Sequence, residues 1–84
     1  MRVMCTCTVT VKAPGGLHAR LAHEFVSRAC EHRSTIYVEH NGQRANAKSL
    51  LNLFALGIFE NSEISIIAHG DDEEQAVASL SRMV

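Results

Sequence analysis

The chain has no apolar stretch long enough to cross a bilayer, so a membrane-spanning helix is excluded. Cysteine is scarce, and the three present (Cys5, Cys7 and Cys30) imply no disulfide framework of the kind that staples small secreted domains. Charge of one sign is lacking too. Eight Lys and Arg stand against nine Asp and Glu, which leaves no dense basic face for a nucleic acid. There is no linker, internal repeat or low-complexity tract, and 46% apolar residues rule out wholesale disorder. Residues 1–84 therefore read as one domain.

The opening MRVMCTCTVTVK alternates apolar residues with threonine, unlike the solid apolar block of a leader, and no small-residue cleavage site follows. A cytoplasmic protein is expected. Its charge is unevenly spread: residues 1–59 carry seven bases and three acids, residues 60–84 one base and six acids. The basic bias of the longer part favours an acidic protein partner.

Apolar periodicity supplies the elements. Cys5, Cys7, Val9 and Val11 share one parity, with Thr6, Thr8, Thr10 and Lys12 on the other, as in a strand with one wet face. Pro14-Gly15-Gly16 breaks it. From Ala19 the period becomes helical, with Ala22, Phe25, Val26, Ala29 and Cys30 forming an apolar stripe. Ser34 to His40 alternate again, Asn41-Gly42 is a hairpin signal, and Gln43 to Asn46 return as a strand. A short helix is expected over Lys48 to Leu56, ended by Gly57, then a turn at Glu60-Asn61 and a strand over Ser62 to His69. Asp71 and Glu74 have capping-box spacing ahead of a last helix striped by Ala76, Val77, Leu80 and Met83 or Val84. The order β-α-β-β-α-β-α suits an α+β open-faced two-layer sandwich, a four-stranded antiparallel sheet with three helices on one face.

His18 falls at the start of the first helix. There the backbone N–H groups have no intrahelical partner and the peptide dipoles favour negative charge. A phosphoryl group taken up by the ring would land against the donors of Ala19 and Arg20, and the Arg20 guanidinium can swing to the same anion. Gly15 and Gly16 allow a tight turn and keep bulk from the ring. A plainer alternative stays open on this evidence: a histidine that only caps its helix. Cys5 and Cys7 suggest a second alternative, a small metal-carrier domain. Their one-residue spacing within a strand fits two core thiols better, and no metal cage is read in the sequence. His23, His32, His40 and His69 show no paired spacing and read as surface histidines.

Gly16-Leu17-His18-Ala19-Arg20 resembles the active-site signature of the HPr family, the histidine-containing phosphocarriers of the bacterial phosphotransferase system. The likeness runs along essentially the whole chain, through VKAPGGLHAR, VEHNGQRANAKSLLNLFALGI and SEISIIAHGDDEEQAV. The resemblance implies the same sandwich fold and no cofactor. It implies that His18 takes phosphate at Nδ1 from phosphorylated enzyme I, that Arg20 assists, and that an enzyme IIA component receives the group. A regulatory binding domain of the same fold that has lost phosphorylation is the third reading, beside a carrier that serves sugar transport or a regulatory phosphotransferase branch. It is suggested by Leu21 where the family usually has proline, a residue well suited to a first helical turn. Ser27, Cys30 and Asn52 also stand where lysines are expected.

The segment KSLLNLFALGI has more large apolar side chains than one helix face can bury. Leu53 and Leu56 are expected inward; Leu50, Leu51 and Phe54, with Leu17 and Leu21, form the expected partner interface. Ser49 opens that helix. In some relatives the matching serine is phosphorylated by a dedicated kinase, and otherwise it simply caps. A monomer is expected, with no nucleic acid and no membrane insertion.

Overall fold

The computed structural model describes residues 4–84; residues 1–3, the head of the segment read above as no leader, lie outside the described residues. Seven elements follow the expected order: β1 (Cys5–Thr10), α1 (Ala19–Cys30), β2 (Thr35–His40), β3 (Gln43–Asn46), α2 (Leu50–Phe54), β4 (Glu63–His69) and α3 (Glu73–Ser81). The strands form one antiparallel sheet in the order β1-β4-β2-β3. The three helices pack on one of its faces.

Strand alternation decides which side chains meet the helices. One row crosses the whole sheet, Cys7 beside Ile66, Ile66 beside Val38 and Val38 beside Ala45, and it points at the helix layer. Against it lie Ala22, Phe25 and Ala29 of α1, Leu53 of α2, and Ala76, Val77 and Leu80 of α3, all buried. Full burial of a side chain such as Phe25, Ile36 or Ile64 is worth about 1.5–3 kcal/mol, so this layer contact dominates the stability. The other sheet face is largely polar, although Ile67 is buried there between Thr6 and Tyr37 of the neighbouring strands. Arg44 braces the β2–β3 hairpin, with its guanidinium 3.1 Å from Glu39 Oε2 and over the Tyr37 ring. Asn41 and Gly42 both have positive φ, as the hairpin signal requires.

Several expectations need correction. α2 is shorter than Lys48 to Leu56, because the amides of Lys48 and Ser49 are taken by the Asn46 side chain and carbonyl. Beyond Phe54 the chain tightens into three-residue turns, Leu56 to Leu53 and Gly57 to Phe54. The N-cap position of α3 is Asp72, one residue later than Asp71, and the acid that reaches back to a preceding amide is Glu73, which accepts from Gly70 at 3.0 Å. The Asp72 carboxylate does not cap. It faces the turn before β2 and accepts from Ser34 Oγ (2.6 Å), the amides of Ser34 and Arg33, and His32 Nδ1 (2.9 Å). Ser34 is thus a buried anchor outside the strand, and His32 is a half-buried partner of Asp72 where a solvated surface side chain was expected. Cys30 leaves the apolar stripe and is exposed, its thiol 3.9 Å from the Lys48 carbonyl at the very end of α1.

Candidate functional site

The loop between β1 and α1 is built from the backbone outward. Val11 continues the sheet pairing by exchanging bonds with Ser62 and Asn61. A turn over residues 13–16 then closes with the Gly16 amide donating to the Ala13 carbonyl at 2.9 Å. Pro14 takes the second position and Gly15, at φ +80°, the third, the residue pattern of a type II turn. Leu17 donates to the Ile58 carbonyl, and the Gly15 amide donates to Glu60 Oε1 at 3.2 Å. Gly16 lies so close to the 59–60 backbone that a Cβ there would sit 2.5 Å from Phe59. The loop is therefore fastened along residues 58–60.

From that base the chain enters α1 with His18 at the N-cap, φ −75° and ψ 175°. Its carbonyl accepts the first helical bond, from Ala22 at 2.8 Å. Its side chain makes no capping bond, and the residue is exposed. The plain capping alternative therefore fails, and the ring nitrogens remain available. Among the described residues nothing accepts from the amides of Ala19 and Arg20, the first-turn donors. The Arg20 side chain is 87% exposed and loosely paired with Glu24 at 3.8 Å, a contact worth little in water. It is free to reorient toward an anion on the ring. Gly15 borders the ring edge: a Cβ there would stand 3.4 Å from His18 Cδ2.

The expected apolar surface is partly redrawn. Leu51 and Phe54 are exposed. Leu21 and Leu50 are half-buried and pack against the core. Leu17 is 7% exposed and belongs to the core itself, because its amide bond to Ile58 turns it under the loop; it offers no partner contact. Leu53 is buried and Leu56 half-buried, both facing inward as expected. α1 begins at Ala19 although Leu21 replaces a proline, and the leucine contributes packing. Ser49 caps α2: its Oγ accepts from the Asn52 amide and from Asn52 Nδ2 at 2.7 Å.

Two residues beside the loop escaped the sequence reading, the exposed Phe59 and the carboxylate of Glu60. Glu60 fell in an expected turn, and nothing in its neighbours points to a contact with Gly15. The thiols behave as core side chains. Cys5 and Cys7 are half-buried on the helix-facing side of β1, and burial, with Glu74 and Glu73 nearby, pushes the Cys5 thiol above its ordinary range.

Fold and site define a class: a small open-faced sandwich that presents one uncapped histidine at the amino end of a helix. Comparison with known proteins narrows it. Residues 5–84 match the family model described as the PTS HPr component phosphorylation site. The chain is 42% identical over 73 residues to the phosphocarrier protein HPr of Buchnera aphidicola subsp. Acyrthosiphon pisum (strain APS), covering 87% of this chain and 86% of that protein. It is 37% identical over 76 residues to the HPr-like protein Crh of Bacillus subtilis (strain 168), covering 90% and 89%. The crystal structure of a phosphocarrier protein HPr from Bacillus anthracis str. Ames superposes with a TM-score of 0.96 at 35% identity, covering 98% of both chains. The chain belongs to the HPr family, the phosphocarriers of the phosphotransferase system.

Proposed function

We propose that His18 is the residue that carries the phosphoryl group. In this reading Nδ1 attacks the phosphorus of phosphorylated enzyme I, itself charged from phosphoenolpyruvate, and the bond to the donor breaks as the P–N bond forms. An enzyme IIA component then takes the group in the reverse chemistry, in the cytoplasm. One observation carries the reading: the ring stands at the N-cap, exposed and without a capping bond. A phosphoryl group on the ring would meet the unpartnered amides of Ala19 and Arg20 in the adjoining first turn, and charge-assisted bonds of that kind are about twice as strong as neutral ones. Arg20 supplies a mobile countercharge. The exposed Leu51 and Phe54 supply an apolar contact for a partner that must bind weakly and leave quickly.

The test is transfer of label from phosphoenolpyruvate through enzyme I. Label that is acid-labile, base-stable and absent from His18→Ala supports the proposal. Label that persists in His18→Ala, or never appears on the unaltered protein, overturns it. Ser49 is the proposed target of a serine kinase. Its hydroxyl already engages Asn52, and a phosphate there would replace that contact beside Leu51. A Ser49→Asp variant is expected to accept phosphate from enzyme I more slowly, and an unchanged rate removes Ser49 from the proposal.

A further inference from the structure

We propose that Glu60 is a positioning residue for His18, acting through the Gly15 amide; this rests on the reading of His18 as phosphoryl acceptor. Glu60 lies in the loop between α2 and β4, 45 residues from Gly15 in sequence, yet its Oε1 accepts from the Gly15 N–H at 3.2 Å. The bond closes the loop on the side where the imidazole sits. Gly15 is the residue that borders the ring edge at Cδ2, and the following Gly16 is pressed onto the backbone of Phe59 and Glu60.

Three contacts fasten the loop to residues 58–60, and they do different things. The Leu17 bond to Ile58 and the Gly16 approach to Phe59 are backbone contacts that hold the loop whatever the side chains are. Among the described residues the Glu60 bond is the one side-chain hydrogen bond to the glycine that flanks the ring. Without it the Pro14–Gly15 peptide at the middle of the turn can rotate, because Gly15 lies at positive φ and carries no Cβ to resist the motion. Rotation of that peptide would remove the wall along one edge of the imidazole. Transfer needs the reacting nitrogen and the phosphorus held within a narrow range of distance and angle, so a looser ring costs rate without unfolding the protein.

Among the described residues Glu60 bonds to the Gly15 amide and makes no hydrogen bond to the His18 ring. Its effect passes through one hydrogen bond, which makes a simple prediction. Glu60→Gln keeps an oxygen acceptor at the same place, and Glu60→Ala removes it.

The experiment reads the loop first and the chemistry second, on the full chain. Hydrogen exchange and carbon–proton correlation spectra are recorded for the unaltered protein, Glu60→Ala and Glu60→Gln. In Glu60→Ala the Gly15 amide is expected to exchange about tenfold faster, the size of one net hydrogen bond. The His18 Cδ2–Hδ2 signal is expected to shift, while the β4 amides keep their protection. Glu60→Gln is expected to restore both signals. Unaltered Gly15 exchange in Glu60→Ala, or a Glu60→Gln that behaves as the alanine variant, overturns the proposal. The initial rate of labelling by enzyme I is then expected to fall several-fold in Glu60→Ala and to recover in Glu60→Gln; a rate that follows neither pattern also overturns it. Failure of the unaltered protein to take label counts instead against His18 as acceptor, and the spectra still decide the contact to Gly15.

Discussion

Two glycines show how the surroundings of a residue, more than its type, set what it contributes. Gly16 and Gly42 have nearly the same backbone, φ +71° and +79°. A side chain at either position meets the left-handed penalty of roughly 1–2 kcal/mol. At Gly42 nothing lies within 4 Å of a built Cβ, so the penalty stands alone. At Gly16 the Cβ meets the Phe59 Cα and carbonyl carbon at 2.5 Å, and backbone cannot step aside as a flexible side chain can. Overpacking of that kind adds roughly 1–3 kcal/mol. Gly16→Ala is therefore expected to lower the thermal midpoint about twice as far as Gly42→Ala, or more than that where the overpacking is large, on a scale of about 4–8 °C per kcal/mol for a domain this size. Equal losses in thermal unfolding would show that the close approach to Phe59 carries no energy. The sequence displays both glycines as turn residues, but only the packing separates them. The same limit hid Glu60 and buried Leu17, whose contacts lie more than forty residues away along the chain.

Elements follow from local chemistry where the apolar period is long and clean. The twelve residues of α1 coincide with the expected helix because its stripe repeats over three turns. The hairpin is legible from Asn41-Gly42, and β1 and β4 from their alternation. α2 resisted such reading. Five residues give little more than one turn of periodicity, and its start is set by side-chain bonds to Asn46 and Ser49 that compete with helical ones. A helix so short draws much of its stability from its cap and from Leu53 in the core. Ser49→Ala is accordingly expected to cost about 1 kcal/mol of global stability, and amides of α2 are expected to lose protection ahead of those in α1. Denaturant unfolding with residue-resolved hydrogen exchange checks both. A variant as stable as the original would mean that the core contact of Leu53 holds α2 without the cap.

At the scale of the molecule, the order β1-β4-β2-β3 puts the last strand between the first two, and no local signal encodes that. It follows from burying one apolar face under three helices, so the ends of distant elements must be tied together. Asp72 makes one such tie, joining the start of α3 to the turn between α1 and β2 through four donors on Ser34, Arg33 and His32. The Ser34 hydroxyl, then His32 and the two backbone amides, outweigh burial and hold this carboxyl well below the usual carboxylate range. A depressed folded value fixes the sign of the pH dependence. The contribution is complete above the unfolded carboxylate value of about 3.9 and is lost as pH falls below it toward the folded value. Hydrogen bonds to a charged group are worth about 1.5–3 kcal/mol, and Asn at this site keeps one acceptor while losing the charge and adding an NH₂ among donors. Asp72→Asn is thus expected to cost roughly 2 kcal/mol at neutral pH in urea unfolding. The gap between the two proteins should narrow steadily below about pH 4, because acid removes from the original the charge that the variant already lacks. If the gap instead stays constant down to pH 2, the ionised carboxylate is not what joins α3 to the turn before β2, and the geometry of the Ser34 hydroxyl bond alone must hold the two together.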